Sequence, residues 1–198
     1  MIAGVGCLAA FGLACGDDDG GGGTADSSVS LIDSGPQIDA GGTADAAQVA
    51  CRTGFVGAMN GAEEDSDALL YQSLDATTDP FNVLSVELYY ALGASSAAQT
   101  YTAFENYATC HTCVLIYADC TQAGGCTKIF EVQTGSLDIT TNENADAVGL
   151  FQGTLTTAHA IEVTIDMTSF MSTPVVGGEC WDIASHTMDV TSVAPPAP

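Results

Sequence analysis

Residues 83–90 read VLSVELYY, and this stretch indicates what kind of domain the chain forms. Every second residue of 84–90 is apolar, whereas Ser85 and Glu87 between them are polar. Alternation with a period of two is typical of a β-strand that buries one of its faces. We therefore predict a strand here, with its apolar face directed into a core.

Short runs of similar character recur from residue 51 to about residue 192. Residues 114–117 form a uniformly apolar run, as expected of a strand buried on both faces. Residues 128–133 and 136–140, separated by Thr134-Gly135, are typical of two strands around a tight turn. Further strands are predicted at residues 68–74, 150–155, 160–165 and 186–190. No apolar stripe in this part of the sequence extends over three helical turns.

Seven or eight short strands in about 140 residues predict an all-β domain, built as an antiparallel β-sandwich or jelly roll. The predicted domain spans residues 51–192. A chain of that size buries about two thirds of its unfolded surface, so its core is expected to be self-sufficient. Residues 193–198 read VAPPAP and form a Pro-rich tail that cannot extend a strand.

The charge of the chain excludes one class of partner. Its 198 residues include 25 acidic residues but only two basic ones, Arg52 and Lys128, which gives a formal net charge of −23. Affinity for nucleic acid requires Lys and Arg to neutralise phosphates, so nucleic acid is excluded as a partner. Direct docking on an anionic bilayer is disfavoured too, because polybasic patches supply that attraction.

Six of the eight cysteines lie in the predicted domain: Cys51, Cys110, Cys113, Cys120, Cys126 and Cys180. An even number of cysteines in an exported domain predicts disulfide bonds, and six cysteines allow fifteen connectivities. Cys120 with Cys126 is the favoured pair, because the five residues between them form a turn between two strands. Cys51 with Cys180 would join the two ends of the domain, which leaves Cys110 with Cys113.

The segment Cys110-His111-Thr112-Cys113 also has the CxxC spacing of redox sites and of half a zinc site. In a thioredoxin-like site the pair precedes a helix, whereas this pair precedes the predicted strand at residues 114–117. Zinc held by Cys110, Cys113, Cys120 and Cys126 is the alternative to the disulfide bonds. Apart from calcium, no cofactor is predicted.

Calcium is the best alternative among the metals, because residues 60–67 read NGAEEDSD and concentrate oxygen ligands. The candidate ligands are Glu63, Glu64, Asp65 and Asp67. The spacing does not match an EF-hand, since Leu69 stands at a ligand position. Residues 142–146 form a second, thinner cluster. These residues predict, as one alternative, a calcium-stabilised surface domain.

The sequence contains no reaction motif. It has three histidines, His111, His159 and His186, and abundant Ser and Asp, but no G-x-S-x-G segment that would indicate a nucleophilic hydrolase. A carboxylate-dependent hydrolase of extracellular glycan is the second alternative, because two carboxylates suffice for that reaction. With so many acids in the chain none is singled out, so the catalytic residues of such an enzyme stay unknown.

Residues 1–15 read MIAGVGCLAAFGLAC, an uncharged run that is shorter than the ~20 residues of a membrane-spanning helix and has the length of a signal peptide. Its end, Leu13-Ala14-Cys15, resembles the lipobox of bacterial lipoproteins, where the chain is cut before a cysteine that receives diacylglycerol. The resemblance implies that Cys15 carries the lipid and joins the protein to a membrane. Gly12 stands where the lipobox usually has Leu. Cys7 is a competing lipid site, and a plain secretory leader is an alternative.

Residues 16–50 connect this leader to the domain. They are rich in Gly, Ala, Asp and Ser and contain no aromatic residue, so they cannot bury enough apolar surface to fold. We predict a disordered linker with a root-mean-square reach of roughly 30 to 35 Å. That reach is enough to hold the domain clear of lipid headgroups.

The segments 106–110, 113–120, 130–135 and 177–181, together with the leader and linker, resemble uncharacterised secreted lipoproteins of the myxobacterial type. Such proteins join a lipobox to an acidic tether and a cysteine-bridged β-rich domain. The resemblance implies the bacterial cell envelope as location, facing away from the cytoplasm, with the outer membrane favoured. It implies no activity. We therefore expect a lipid-anchored binding or surface module that is not itself an enzyme, for a protein or glycan ligand that the sequence does not identify.

Overall fold

A computed structural model describes residues 50–143 and 148–193. The predicted leader with Cys7 and Cys15, nearly all of the linker and residues 194–198 lie outside these ranges. The described part contains a single turn of 3-10 helix at Tyr90–Leu92 and nine strands. The strands are β1 (Met59–Glu64), β2 (Ala68–Leu74), β3 (Phe81–Tyr89), β4 (Gln99–Tyr101), β5 (Thr112–Cys120), β6 (Lys128–Asn142), β7 (Val148–Ile165), β8 (Ser172–Pro174) and β9 (Cys180–Val193).

The prediction of an all-β, sandwich-like domain is confirmed. All nine strands belong to one sheet in the order β4-β6-β5-β3-β2-β1-β9-β7-β8, and β6 also pairs with β7. This additional pairing closes seven of the strands into a ring, with β4 and β8 attached outside it. Every pairing is antiparallel except that of β1 with β9, which is parallel, where only antiparallel pairing was expected.

The prediction of a tight turn at Thr134-Gly135 was wrong, because β6 continues through the glycine as one strand of 15 residues. Both halves of β6 pair antiparallel with β7, from Ile129 opposite Val163 onwards. Gly135 has a φ of 141° and lies within the shift of register between Thr134 and Ser136, which marks a β-bulge. A glycine at a bulge bends a strand and increases its twist, and here it does so without reversing the chain.

The two strands predicted at residues 150–155 and 160–165 are likewise one strand, β7, which has 18 residues. Thr157 has a φ of 48° and lies between Leu155 and Ala158, both of which are buried. Two buried residues three positions apart break the period of two. The kink at Thr157 therefore lets both halves of the strand direct apolar side chains into the core.

The interior of the ring holds one large apolar cluster to which all seven ring strands contribute. Its largest fully buried side chains include Tyr71, Phe130 and Phe151. Burial of one large apolar side chain stabilises the folded state by about 1.5–3 kcal/mol, so this cluster is the main source of stability. The strand β3 directs Leu84, Val86 and Leu88 into the core, as predicted. The prediction that only one face is buried was wrong, because Ser85 and Glu87 on the opposite face are buried too.

A smaller cluster lies beside the hairpin that connects β5 to β6. It contains Leu74, Phe81, Val83 and Cys120. The hairpin is closed by the disulfide bond Cys120–Cys126 and by a bridge between Thr121 and Gly125.

Among the residues that the structure describes, we find no helix with the length and apolar character that a membrane span requires.

We expect Gly135→Ala to destabilise the domain by roughly 1–3 kcal/mol, because an L-residue is strained at this φ. The added Cβ would also lie only 2.8 Å from the Cα of Ala158. The matched control is Gly61→Ala in β1, where no heavy atom lies within 4 Å of the new Cβ. Equilibrium unfolding in urea measures both changes, and equal losses in the two variants would contradict the account of the bulge.

Candidate functional site

The ring of strands has its weakest closure between β1 and β9. Parallel pairing covers only two residues of each strand, Ala62–Glu63 with Ser192–Val193. One isolated bridge joins Arg52 to Trp181. Between these contacts, β9 has no strand partner on the β1 side among the described residues. The sheet is therefore open along part of one strand edge.

We call this gap the seam: residues 53–58 on one side and residues 183–191 on the other. Phe55 fills its inner side and is only 7% exposed. The Phe55 ring contacts the rings of Trp181 and His186 edge-on, at centroid distances of 6.2 and 5.5 Å. A packed side chain, and not a ladder of hydrogen bonds, thus separates the core from solvent at the seam.

Two open depressions lie along the seam and share Phe55 and Ser185. The first has a volume of about 380 Å³ and is lined by backbone, by small apolar side chains, by hydroxyl groups such as that of Thr157, and by one carboxylate, Asp182. The second has about 240 Å³ and reaches His186. Sites for small molecules usually enclose most of the ligand, whereas these two depressions are open to solvent. Their shape therefore suits a larger partner that lies across the surface.

A histidine–aspartate pair stands at the rim of the first depression. His159 on β7 lies directly opposite Asp182 on β9, and its Nδ1 donates a hydrogen bond of 2.7 Å to Oδ1 of the aspartate. The side chains are 43% and 52% exposed. In a catalytic triad the other ring nitrogen would bond to a nucleophilic hydroxyl. Within the described residues, we find no hydrogen bond that joins His159 to a hydroxyl, and the pair presents an exposed imidazole and carboxylate at the rim of the depression.

All six cysteines of the domain form disulfide bonds, and the three predicted pairs are confirmed. The pairs are Cys51–Cys180, Cys110–Cys113 and Cys120–Cys126. Zinc needs thiolate ligands, which these bonded sulfurs are not, whereas a disulfide bond is the oxidised form of a dithiol redox pair. The first bond lies at one end of the seam and joins residues 129 positions apart.

Arg52 follows Cys51 in the chain, and its side chain makes three hydrogen bonds to carboxylates. Its two Nη atoms donate to both carboxylate oxygens of Asp119 at 3.0 and 2.9 Å, and its Nε donates to Glu179 at 2.6 Å. The guanidinium also lies over the rings of Phe130 and Trp181, 5.7 and 5.6 Å from their centroids. The hydrogen bond to Asp119 holds the pKa of Arg52 above its usual value.

Lys128, the other basic residue, joins the same cluster. Its ammonium group donates to Glu162 and to Glu179. Two hydrogen bonds hold the pKa of the Glu179 carboxyl below its usual value: the one from Lys128 contributes most, and the one from Arg52 adds to it. Both cations of the chain are therefore engaged with carboxylates, which leaves the surface acidic and favours neutral or cationic partners.

The structure separates the four candidate calcium ligands, Glu63, Glu64, Asp65 and Asp67. Residues 59–64 form β1, where a loop was expected, and the period of two places Glu63 and Glu64 on opposite faces. Glu64 is buried and accepts hydrogen bonds from Tyr90 and Ser192. Asp65 accepts two backbone N–H bonds of its own turn. Glu64 and Asp65 are therefore hydrogen-bond acceptors within the strand and the turn.

A glycan hydrolase needs two carboxyl groups roughly 5 to 9.5 Å apart in one cleft. Asp182 is the one carboxylate that lines the two depressions of the seam. Glu87, by contrast, is buried and accepts hydrogen bonds from the hydroxyls of Ser85, Tyr89 and Tyr107. Burial raises the pKa of this carboxyl. Glu87 is thus an internal polar group that a polysaccharide does not reach.

His186 and Tyr71 form a second buried polar pair below the seam. The Tyr71 hydroxyl oxygen lies 2.8 Å from Nε2 of His186. Burial raises the pKa of Tyr71 to about 12 and lowers the pKa of His186 below its usual value. Both groups are therefore held in their uncharged forms near neutral pH.

Sequence reasoning did not bring His159, Asp182 and Cys51 together. They are far apart in the chain: the register of β7 against β9 brings His159 to Asp182, and the bond Cys51–Cys180 brings Cys51 to the same place. No protein-family model, curated protein or solved structure matches this chain.

We expect the contribution of His186 to stability to be fully present above about pH 6.5 and to fall as the pH drops below that value. The reason is that burial lowers the pKa of His186 in the folded domain, so that the unfolded chain takes up a proton on this imidazole at a higher pH than the folded domain does. The loss is at most about 1.4 kcal/mol for each pH unit. Urea unfolding of the native protein and of His186→Gln between pH 7.5 and 5.5 measures it. Parallel pH profiles for the two proteins would contradict the shift.

Proposed function

We propose that this chain is a lipid-anchored, extracytoplasmic β domain that acts by binding a partner, and that it catalyses no reaction of its own. The observation that carries the proposal is that all six cysteines of the domain form disulfide bonds. Disulfide bonds persist in oxidising compartments and are rare in the cytosol. The bonds therefore support export of the chain.

The anchor in this proposal is the thiol of Cys15. The lipobox-like segment Leu13-Ala14-Cys15 ends an apolar leader and is followed at once by an acidic, Gly-rich stretch. A single lipid chain gives only marginal membrane binding, but two acyl chains on one residue give a stable anchor. The resemblance to secreted lipoproteins of the myxobacterial type supports the same address in the cell envelope, with the outer membrane favoured.

The binding surface in this proposal is the seam. It offers an open strand edge, two neighbouring depressions, several hydroxyl groups and one exposed carboxylate, Asp182. An open strand edge and shallow concavities suit an extended partner such as a protein segment or a glycan. The net charge of −23 and the engagement of both cations favour a partner that is neutral or positively charged.

Intact-mass spectrometry of the protein isolated from its native membrane tests this proposal. We expect a chain that begins at Cys15, carries the mass of a diacylglycerol group and lacks six thiol hydrogens. Cys15→Ser should abolish the lipid mass and release the protein from the membrane. Cys7→Ser is the matched control and should change neither.

Recovery of the protein from the cytoplasm with an intact amino terminus and alkylatable cysteines would contradict export. Retention of the lipid in Cys15→Ser together with its loss in Cys7→Ser would move the anchor to the earlier cysteine.

A further inference from the structure

The disulfide bond Cys51–Cys180 lies directly beside the His159–Asp182 pair. One ligand atom from each of Cys51, His159 and Asp182 lies within 4.8 Å of the other two: a sulfur, an imidazole nitrogen and a carboxylate oxygen. Cys180 is bonded to Cys51 and stands two residues before Asp182, on the same face of β9. Metal-binding atoms of three side chains thus meet at one place on the surface, and the sulfur of Cys180 is bonded to one of them, that of Cys51.

The backbone around these side chains is held by more than the disulfide bond. His159 and Asp182 are direct partners in the ladder between β7 and β9. Arg52, next to Cys51, donates its N–H to the carbonyl of Cys180 and accepts the N–H of Asp182, both at 2.8 Å. Backbone hydrogen bonds therefore keep all four residues together independently of the S–S bond.

Two sulfurs, one imidazole nitrogen and one carboxylate oxygen form a donor set that suits tetrahedral zinc. With bonds of about 2.0–2.3 Å to zinc, neighbouring ligand atoms stand roughly 3.3–3.8 Å apart. The sulfur of Cys51 needs to approach the other two atoms by up to about 1.5 Å, whereas Nδ1 of His159 and Oδ1 of Asp182, now 2.7 Å apart, need to separate by about 0.6 Å. The half-exposed side chains of His159 and Asp182 have room to do so. Calcium and magnesium prefer all-oxygen sites, so they do not suit this set.

We propose that Cys51, Cys180, His159 and Asp182 form a zinc-binding site in the reduced protein, and that formation of the disulfide bond abolishes this site. In the oxidised domain the two sulfurs are bonded to each other and cannot act as thiolate ligands. The proposal concerns a second state of the domain and does not depend on its role as an envelope protein.

The step balances with a dithiol as reductant. The dithiol donates two electrons and two protons to the bond Cys51–Cys180, which becomes two thiols, while the dithiol becomes a cyclic disulfide. Zn²⁺ then displaces one proton from each thiol and binds two thiolates, the neutral imidazole of His159 and the carboxylate of Asp182. A disulfide oxidant reverses the step: the two bound thiolates form the bond Cys51–Cys180 again, the oxidant's sulfurs take up two electrons from them and two protons from water and leave as two thiols, and Zn²⁺ is released.

Zinc bound in this way replaces the disulfide bond as the link across the end of the seam. It holds the chain that enters the domain against β9, as the bond between residues 129 positions apart does in the oxidised protein. The pair Cys110–Cys113 cannot do so, because its sulfurs are only three residues apart and join no distant segments.

Zinc titration of the full-length protein, reduced with a phosphine, tests the proposal. A phosphine and one water convert each disulfide bond into two thiols and a phosphine oxide. We expect one tightly bound zinc ion per reduced chain, measured in competition with a chromophoric chelator. His159→Ala should weaken this binding at least about tenfold, because loss of an outer-shell partner alone costs 10–100-fold.

The matched control is His111→Ala, which removes the histidine between Cys110 and Cys113 and should leave the tight site intact. The oxidised protein should bind zinc at least about a hundredfold more weakly than the reduced protein, since it lacks both thiolates. If reduction disorders the domain, zinc should restore its near-ultraviolet circular dichroism in the native sequence and not in His159→Ala.

Three results would overturn the proposal. The first is that the reduced native protein and reduced His159→Ala bind zinc with equal affinity. The second is that His111→Ala loses the tight site, and the third is that the oxidised protein binds zinc tightly. Failure of zinc to restore a reduced, disordered domain would overturn it as well.

Discussion

The structure depends on how the last long strand, β9, is held against the chain that enters the domain. Two parallel pairs and one bridge supply few hydrogen bonds there, although the same ring is closed elsewhere by long antiparallel ladders. Phe55 and the bond Cys51–Cys180 complete the closure. A covalent link between residues 129 positions apart lowers the conformational entropy of the unfolded chain and so stabilises the fold. This link lies at the strand edge where the backbone pairing is weakest.

The acidic composition explains why this closure carries both cations of the chain. A net charge of −23 opposes the compact state through repulsion among the carboxylates. Arg52 and Lys128 bind Asp119, Glu162 and Glu179 next to the disulfide bond. Three other carboxylates, those of Glu64, Glu87 and Glu131, are buried in the domain, where hydroxyl groups of tyrosine and serine donate hydrogen bonds to them. The surface that remains is acidic and suits partners without negative charge.

Local patterns in the sequence predict the all-β class, the strand at residues 83–90 and the disulfide bond Cys120–Cys126. The bond Cys51–Cys180 joins residues 129 positions apart, and no local pattern specifies it. They do not predict β1, because residues 59–64 contain no β-branched or aromatic residue and pair through neighbours that the sequence cannot specify. Gly135 was misread since a glycine marks a hairpin turn and a β-bulge alike, and only the partner strand decides between them. The meeting of His159 with Asp182 follows from strand register, which tertiary contacts determine.

The most direct test of the account is the free energy of unfolding without the bond Cys51–Cys180. For the double variant Cys51→Ala, Cys180→Ala, the account predicts a loss of about 4–5 kcal/mol, because the bond closes a loop of more than about 100 residues. The double variant Cys110→Ala, Cys113→Ala, which opens a loop of only a few residues, should lose much less. A loss below about 1 kcal/mol in the first variant, or equal losses in both, would contradict the claim that this link closes the fold.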